Sequence, residues 1–83
     1  MTSMYSDQIR AILAQHARLA TDVNELRDNS DLYQAGLTSL TTVNLMLALE
    51  DHFDIEFPDR MLGRKTFESI EALAEAIDEL VSA

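Results

Sequence analysis

The sequence predicts an all-α fold: a small four-helix bundle with a long first loop and a short third helix, forming a single domain over residues 1–83. Three observations point there. Apolar residues recur mostly at helical spacing, and the one stretch with a period of two is too short to build a sheet. A chain of 83 residues and 9.3 kDa has room for one core only.

Each element has its own signal. Between Ser6 and Leu19, the residues Ile9, Ile12, Leu13 and His16 fall on one face, with Ser6 placed to cap and Asp7 in the first turn. From Thr21 to Leu37 no period holds. Val23, Leu26, Leu32 and Tyr33 are spaced there as anchors for a loop that must lie over the core, and loops of that length are often functional. From Leu40 to Phe53 the residues Leu40, Val43, Met46, Leu47 and Glu50 keep the helical period, while Leu45 and Leu49 add a second apolar side. This second helix is buried on more than one face, or buried on one and used for binding on the other.

Beyond it, Phe53, Ile55 and Phe57 alternate with Asp54 and Glu56, and Pro58 restricts Phe57 to an extended conformation. That describes a strap with its apolar side inward. In DRMLGRK, Asp59 is placed to cap a single turn that Gly63 ends, which is the short third helix. The fourth follows Ser69, with Ile70, Leu73, Ala74, Ile77 and Leu80 or Val81 on one face and Glu71 early, where the helix dipole favours an acid.

Composition narrows the function. Fifteen Asp and Glu against six Lys and Arg give a net charge of −9. Such a charge repels nucleic acid and anionic membrane and favours protein partners with basic surfaces. The absence of cysteine removes disulfides and thiolate metal sites and fits a reducing compartment. The opening MTSMYSDQIR lacks the basic start and apolar run of a secretory signal, so a cytoplasmic monomer is expected. From Leu32 to Leu49 eighteen consecutive positions carry no charge, yet Gln34, Thr38, Ser39, Thr41, Thr42 and Asn44 make the stretch too polar for a membrane span.

A search for catalysis returns nothing. The histidines are His16 and His52, and His52 lies thirteen residues beyond Ser39 on the same expected helix. At roughly 1.5 Å of rise per residue they stand about 20 Å apart, far outside hydrogen-bond reach. His16 on an amphipathic face reads as packing or surface. The acidic run EDHFDIEFPD lacks the glycine and terminal glutamate of a calcium loop, and Gly36 and Gly63, the only glycines, form no phosphate loop. No enzyme and no metal site are expected.

What remains is the hydroxyl pair where the second helix opens. Thr38 or Ser39 serves as N-cap, accepting a hydrogen bond from a free first-turn amide for about 1 kcal/mol. The usual acid is missing from that turn, because Leu40, Thr41, Thr42 and Val43 supply none. A helix start without carboxylates is open to an anion, and a phosphate bonded to Ser39 would meet the positive end of the dipole.

The run GLTSLTTVNLMLALEDHFDIEFPD, Gly36 to Asp59, resembles the signature of acyl and peptidyl carrier proteins: a Gly-containing loop, a serine followed by leucine, a helix, then an F-D-x-E-[IF]-P strap. The phrase TFESI, Thr66 to Ile70, before the last helix is similar to the family's as well, and the resemblance covers essentially the whole chain. It implies a bundle of acyl-carrier type and a 4′-phosphopantetheine arm on Ser39, added from coenzyme A by a phosphopantetheinyl transferase. The arm's thiol would hold cargo as a thioester, loaded by a ligase and passed to a downstream acceptor enzyme. Leu37, Thr38 and Leu40 would offer a neutral docking strip. Arg60, Arg64 and Lys65, half of the basic residues, would give a positive edge around the third helix, or else balance local acids such as Asp59 and Glu68.

Two departures refine this. Fatty-acid carriers usually place Asp before the serine and acids early in the second helix, where this chain has Thr38, Thr41 and Asn44. The signature is similar to stand-alone carriers that take an amino acid from a ligase resembling an aminoacyl-tRNA synthetase. A generic acyl or peptidyl carrier is the alternative, and an unmodified helical interaction module is the alternative of another class.

Overall fold

The computed structural model describes residues 5–17 and 19–82. Residues 1–4 of the opening stretch and residue 18 of the expected first helix lie outside them. Four α-helices follow in order: α1 Ser6–His16, α2 Ser39–Phe53, α3 Arg64–Phe67 and α4 Ile70–Ser82. Two 3-10 turns, Val23–Glu25 and Asp59–Met61, interrupt the connections. The described residues contain no strand.

One core joins them. Ile9 and Leu13 of α1, Leu45 and Leu49 of α2, and Ile70, Leu73 and Ile77 of α4 are fully buried, and Leu32 of the first loop is buried among them. At α1 the apolar face ends on Ala17, while His16 is exposed. Ser6 does not cap. The helix begins at Ser6 after Tyr5, no side chain caps it, and the buried Ser6 Oγ lies 3.4 Å from Asp28 Oδ2.

The first loop is irregular, so its backbone groups need partners outside a helix. Arg10 of α1 supplies one and adds an ion pair: Nη1 donates to the Val23 carbonyl at 2.8 Å, and Nη2 donates to the Asp28 side chain at Oδ1, also at 2.8 Å. Farther along, the Leu32 N–H donates to the Glu68 carbonyl at 2.7 Å and the Glu71 N–H to the Asp28 carbonyl at 2.8 Å. Thus the loop is tied to α1 at one end and to the start of α4 at the other.

The strap is as the alternation predicts, with Phe57 buried and Asp54 and Glu56 exposed. Asp54 ends α2 in the left-handed region at φ 54, a conformation Asp tolerates better than most residues. Glu50 reaches forward to accept the Phe57 N–H at 2.8 Å. The third helix falls later than expected. Asp59 opens a 3-10 turn without capping it, and Gly63 precedes α3 as its N-cap rather than ending a turn. Met61 and Phe67 set this register, because both are buried, and the Phe67 ring lies 5.5 Å from that of Phe57. Ser69, which precedes α4 as the sequence placed it, caps the helix, its Oγ accepting the Ala72 N–H at 3.0 Å; Leu80 packs against the core and Val81 is exposed.

Gly36 has φ +117, and a Cβ there would stand 2.8 Å from the Ala20 backbone nitrogen, which donates to the Ala35 carbonyl. Gly63 has φ −84 and open space around it. Gly36→Ala is therefore expected to cost about 1–3 kcal/mol in chemical denaturation, and Gly63→Ala to stay within about 0.5 kcal/mol. Equal effects would show that the close approach at Ala20 relaxes freely.

Candidate functional site

The site is the start of α2. Thr38, extended at φ −113 and ψ 170, is the N-cap, and Ser39 is the first helical residue. Thr38 Oγ1 accepts the Thr41 N–H at 3.2 Å, while Thr41 Oγ1 accepts the Thr38 N–H at 2.8 Å. The two hydroxyl oxygens lie 2.9 Å apart, so this capping box has a threonine where a glutamate usually stands. Thr42 Oγ1 donates to the Thr38 carbonyl at 2.7 Å. The hydroxyls of Thr38, Thr41 and Thr42 are thereby all engaged. That of exposed Ser39 makes no hydrogen bond with any other described residue.

This arrangement suits an attached anion. The Ser39 and Leu40 amides have no carbonyl one turn back within the helix, and the first turn holds no acid. A phosphodiester on Ser39 Oγ would meet the positive end of a fifteen-residue helix with no carboxylate in that turn to oppose it.

The other sequence-picked residues separate. Leu40 is 73% exposed, and with Val43 at 48% and Leu47 at 54% it forms an apolar stripe one helical face wide. Leu37 does not join the strip. It is 5% exposed and belongs to the core, because its N–H closes a turn on the Leu32 carbonyl that directs the side chain inward. Arg60 pairs with Glu79 of α4 at 3.1 Å, both exposed, rather than with Asp59 or Glu68. Arg64 lies over the Tyr33 ring, 4.2 Å from its centroid. Lys65 is exposed and forms no ion pair among the described residues.

His52 is exposed at the far end of α2, with Nε2 2.9 Å from Gln8 Oε1 of α1. No three His, Asp or Glu side chains among the described residues gather as a metal would require. Thr41 was missed by sequence reasoning, although its spacing three residues after Thr38 is the signal that would have found it.

A family model for the phosphopantetheine attachment site matches residues 7–77. The chain belongs to this family of carrier proteins. It is 51% identical over 69 residues to an aminoacyl carrier protein of Agrobacterium fabrum, covering 83% of each chain. In a crystal of an engineered Bradyrhizobium japonicum glycine:[carrier protein] ligase with a carrier protein from Agrobacterium tumefaciens and ATP, one chain is 47% identical, with 90% of this carrier and 97% of that chain covered at a TM-score of 0.87. A holo acyl carrier protein of Nitrosomonas europaea, solved in solution, is 28% identical and covers 96% and 99% at a TM-score of 0.85. The bundle is of acyl-carrier type, and the family's cofactor is 4′-phosphopantetheine.

The cap can be tested apart from the cofactor. Thr38→Ala is expected to lower the stability of the carrier by about 1 kcal/mol in denaturant titration, while Thr38→Asp, which caps as well, holds it near the parent. A stable Thr38→Ala would mean that the Thr42 and Thr41 bonds to the Thr38 carbonyl suffice to start α2.

Proposed function

We propose that this chain is a stand-alone aminoacyl carrier whose 4′-phosphopantetheine arm is attached at Ser39. The observation that carries the reading is the free, exposed Ser39 hydroxyl in a helix turn whose other hydroxyls are all committed. Within the family match this is the serine that opens a helix with no acid beside it. When bound, the arm supplies a terminal thiol on which cargo rides as a thioester.

The chain's own residues present and orient. Thr38 and Thr41 hold the backbone of Ser39 in place, Leu32 and Leu37 anchor the turn before it, and the amides of Ser39 and Leu40 would offer the positive end of α2 to a phosphodiester attached there. The reacting chemistry belongs to the arm and to partner enzymes. The 51% identity to the Agrobacterium aminoacyl carrier protein, against 28% to the holo acyl carrier protein of Nitrosomonas, favours an amino acid as cargo and a synthetase-like ligase as the loading enzyme. A phosphopantetheinyl transferase and a downstream acceptor complete the partners. Residues 1–83 act as one monomeric domain in the cytoplasm; no helix among the described residues is long and apolar enough to cross a membrane.

In this reading Leu40 is a docking residue; its exposure beside Ser39 supports the role. Of the basic group, Arg60 and Arg64 are engaged and Lys65 is free to meet a partner.

Peptide mapping after reaction with coenzyme A and a broad-specificity transferase is expected to place the adduct on Ser39, and Ser39→Ala to take none. An adduct on Ser39→Ala, or none on the parent with several transferases, would sink the reading. Leu40→Ser is expected to keep the helical content while lowering kcat/KM for ligase loading about five- to thirtyfold, the range of an interface anchor. Unchanged loading would remove Leu40 from the docking surface.

A further inference from the structure

We infer that Arg64 and Tyr33 are a positioning pair, which ties α3 to the turn that delivers Ser39. Arg64 opens α3, and its guanidinium carbon lies 4.2 Å from the centroid of the Tyr33 ring, inside the range where an aromatic face attracts a cation. No acid pairs with Arg64 among the described residues. The charge is therefore used on the ring.

The ring stands on a closed turn. Asp31 Oδ1 accepts the Tyr33 N–H at 2.9 Å, the Tyr33 carbonyl accepts the Gly36 N–H at 3.2 Å, and the Leu32 carbonyl accepts the Leu37 N–H at 2.9 Å. From Leu37 the chain passes directly to the Thr38 cap and Ser39. At the other end, α3 is a single turn fixed in the core through Phe67. Displacement of α3 therefore pulls on the turn, and a partner seated on α3 and α2 together meets Ser39 at one fixed offset. The turn is also held by the backbone bonds of Ala20 to Ala35 and Leu32 to Glu68, by the buried Leu32 and Leu37, and by the packing of the Tyr33 ring against the core; Arg64→Ala leaves all of these in place.

An exposed cation–aromatic stack biases such an equilibrium about two- to fivefold. Where one conformer is competent, the apparent affinity of a partner falls by the fraction lost, and the chemical step does not change.

The test has two arms, of which only the kinetic one rests on the Ser39 reading. In the full chain, Arg64→Ala and Tyr33→Leu are each expected to speed amide exchange at Gly36 and Leu37 about two- to fivefold. Exchange at Leu73 and Ile77 should not change. With coenzyme A and a broad-specificity transferase, the same variants should raise KM for the carrier at constant kcat, by at most that factor and by the whole of it only where the competent conformer is the minor one. The double variant should be no worse than either single, and Arg64→Lys and Tyr33→Phe, which keep a cation and a ring, should stay near the parent. Additive losses in the double variant, unchanged exchange at Gly36 and Leu37, or a Tyr33→Phe as impaired as Tyr33→Leu would overturn the pairing. If Tyr33→Leu loosens α4 as well, its ring is a core element and Arg64→Ala alone decides. A parent that takes no adduct sinks the Ser39 reading and leaves the exchange arm to judge the pair.

Discussion

The reciprocal bonds between Thr38 and Thr41 are the constraint on which the functional end of the molecule depends. A helix start leaves amides without partners, which Ser, Thr, Asn or Asp caps satisfy, often beside an acid in the first turn. An Asp cap or a first-turn acid would place a fixed negative charge beside Ser39. Two neutral hydroxyls satisfy the same backbone groups and add no charge. They also occupy each other, which leaves Ser39 as the hydroxyl facing outward. The cap and the proposed modification site are thus neighbouring residues with separate tasks.

That start must also be held at a fixed place on the bundle, although the loop before it has almost no regular structure. The solution is to borrow partners from both flanking helices. Arg10 binds a carbonyl and a carboxylate of the loop, and the Glu68 carbonyl and Glu71 amide at the start of α4 bind its backbone. Leu32 is buried between these ties, and Gly36 allows the return toward α2 by a path that a side chain would block. Loop, helix junction and cap form one connected set of bonds.

Much of this was legible in the sequence because it rests on local rules. The four helices, the inward strap, the cap at Ser69 and the serine opening an acid-free helix all follow from spacing and residue type within a few positions. What the sequence hid was decided by tertiary packing. Ser6 looks like a cap but is drawn inside the helix by burial near Asp28. Leu37 and Leu40 look alike on paper. A turn closed on Leu32 sends Leu37 into the core, whereas Leu40, one helical step past Ser39, points to solvent. The third helix shifted because Met61 and Phe67, not Asp59 and Gly63, fix its register. Long-range partners such as Glu79 for Arg60 leave no mark in local spacing.

The uncharged stretch from Leu32 to Leu49 then has two physical reasons rather than one. Leu32, Ala35, Leu37, Leu45 and Leu49 are buried and could not carry charge without a partner. Leu40, Val43 and Leu47 are exposed, where charge would be cheap, and they remain apolar. An exposed stripe of this kind invites self-association. The acids elsewhere oppose it: Glu71, Glu75, Asp78 and Glu79 are exposed along α4, and the net charge of −9 works against the close approach of a second copy. Repulsion between like molecules acts over roughly 8–10 Å at physiological ionic strength, so it hinders copies of the carrier while sparing a neutral or basic partner. Charge on α4 therefore lets α2 keep an apolar face in water.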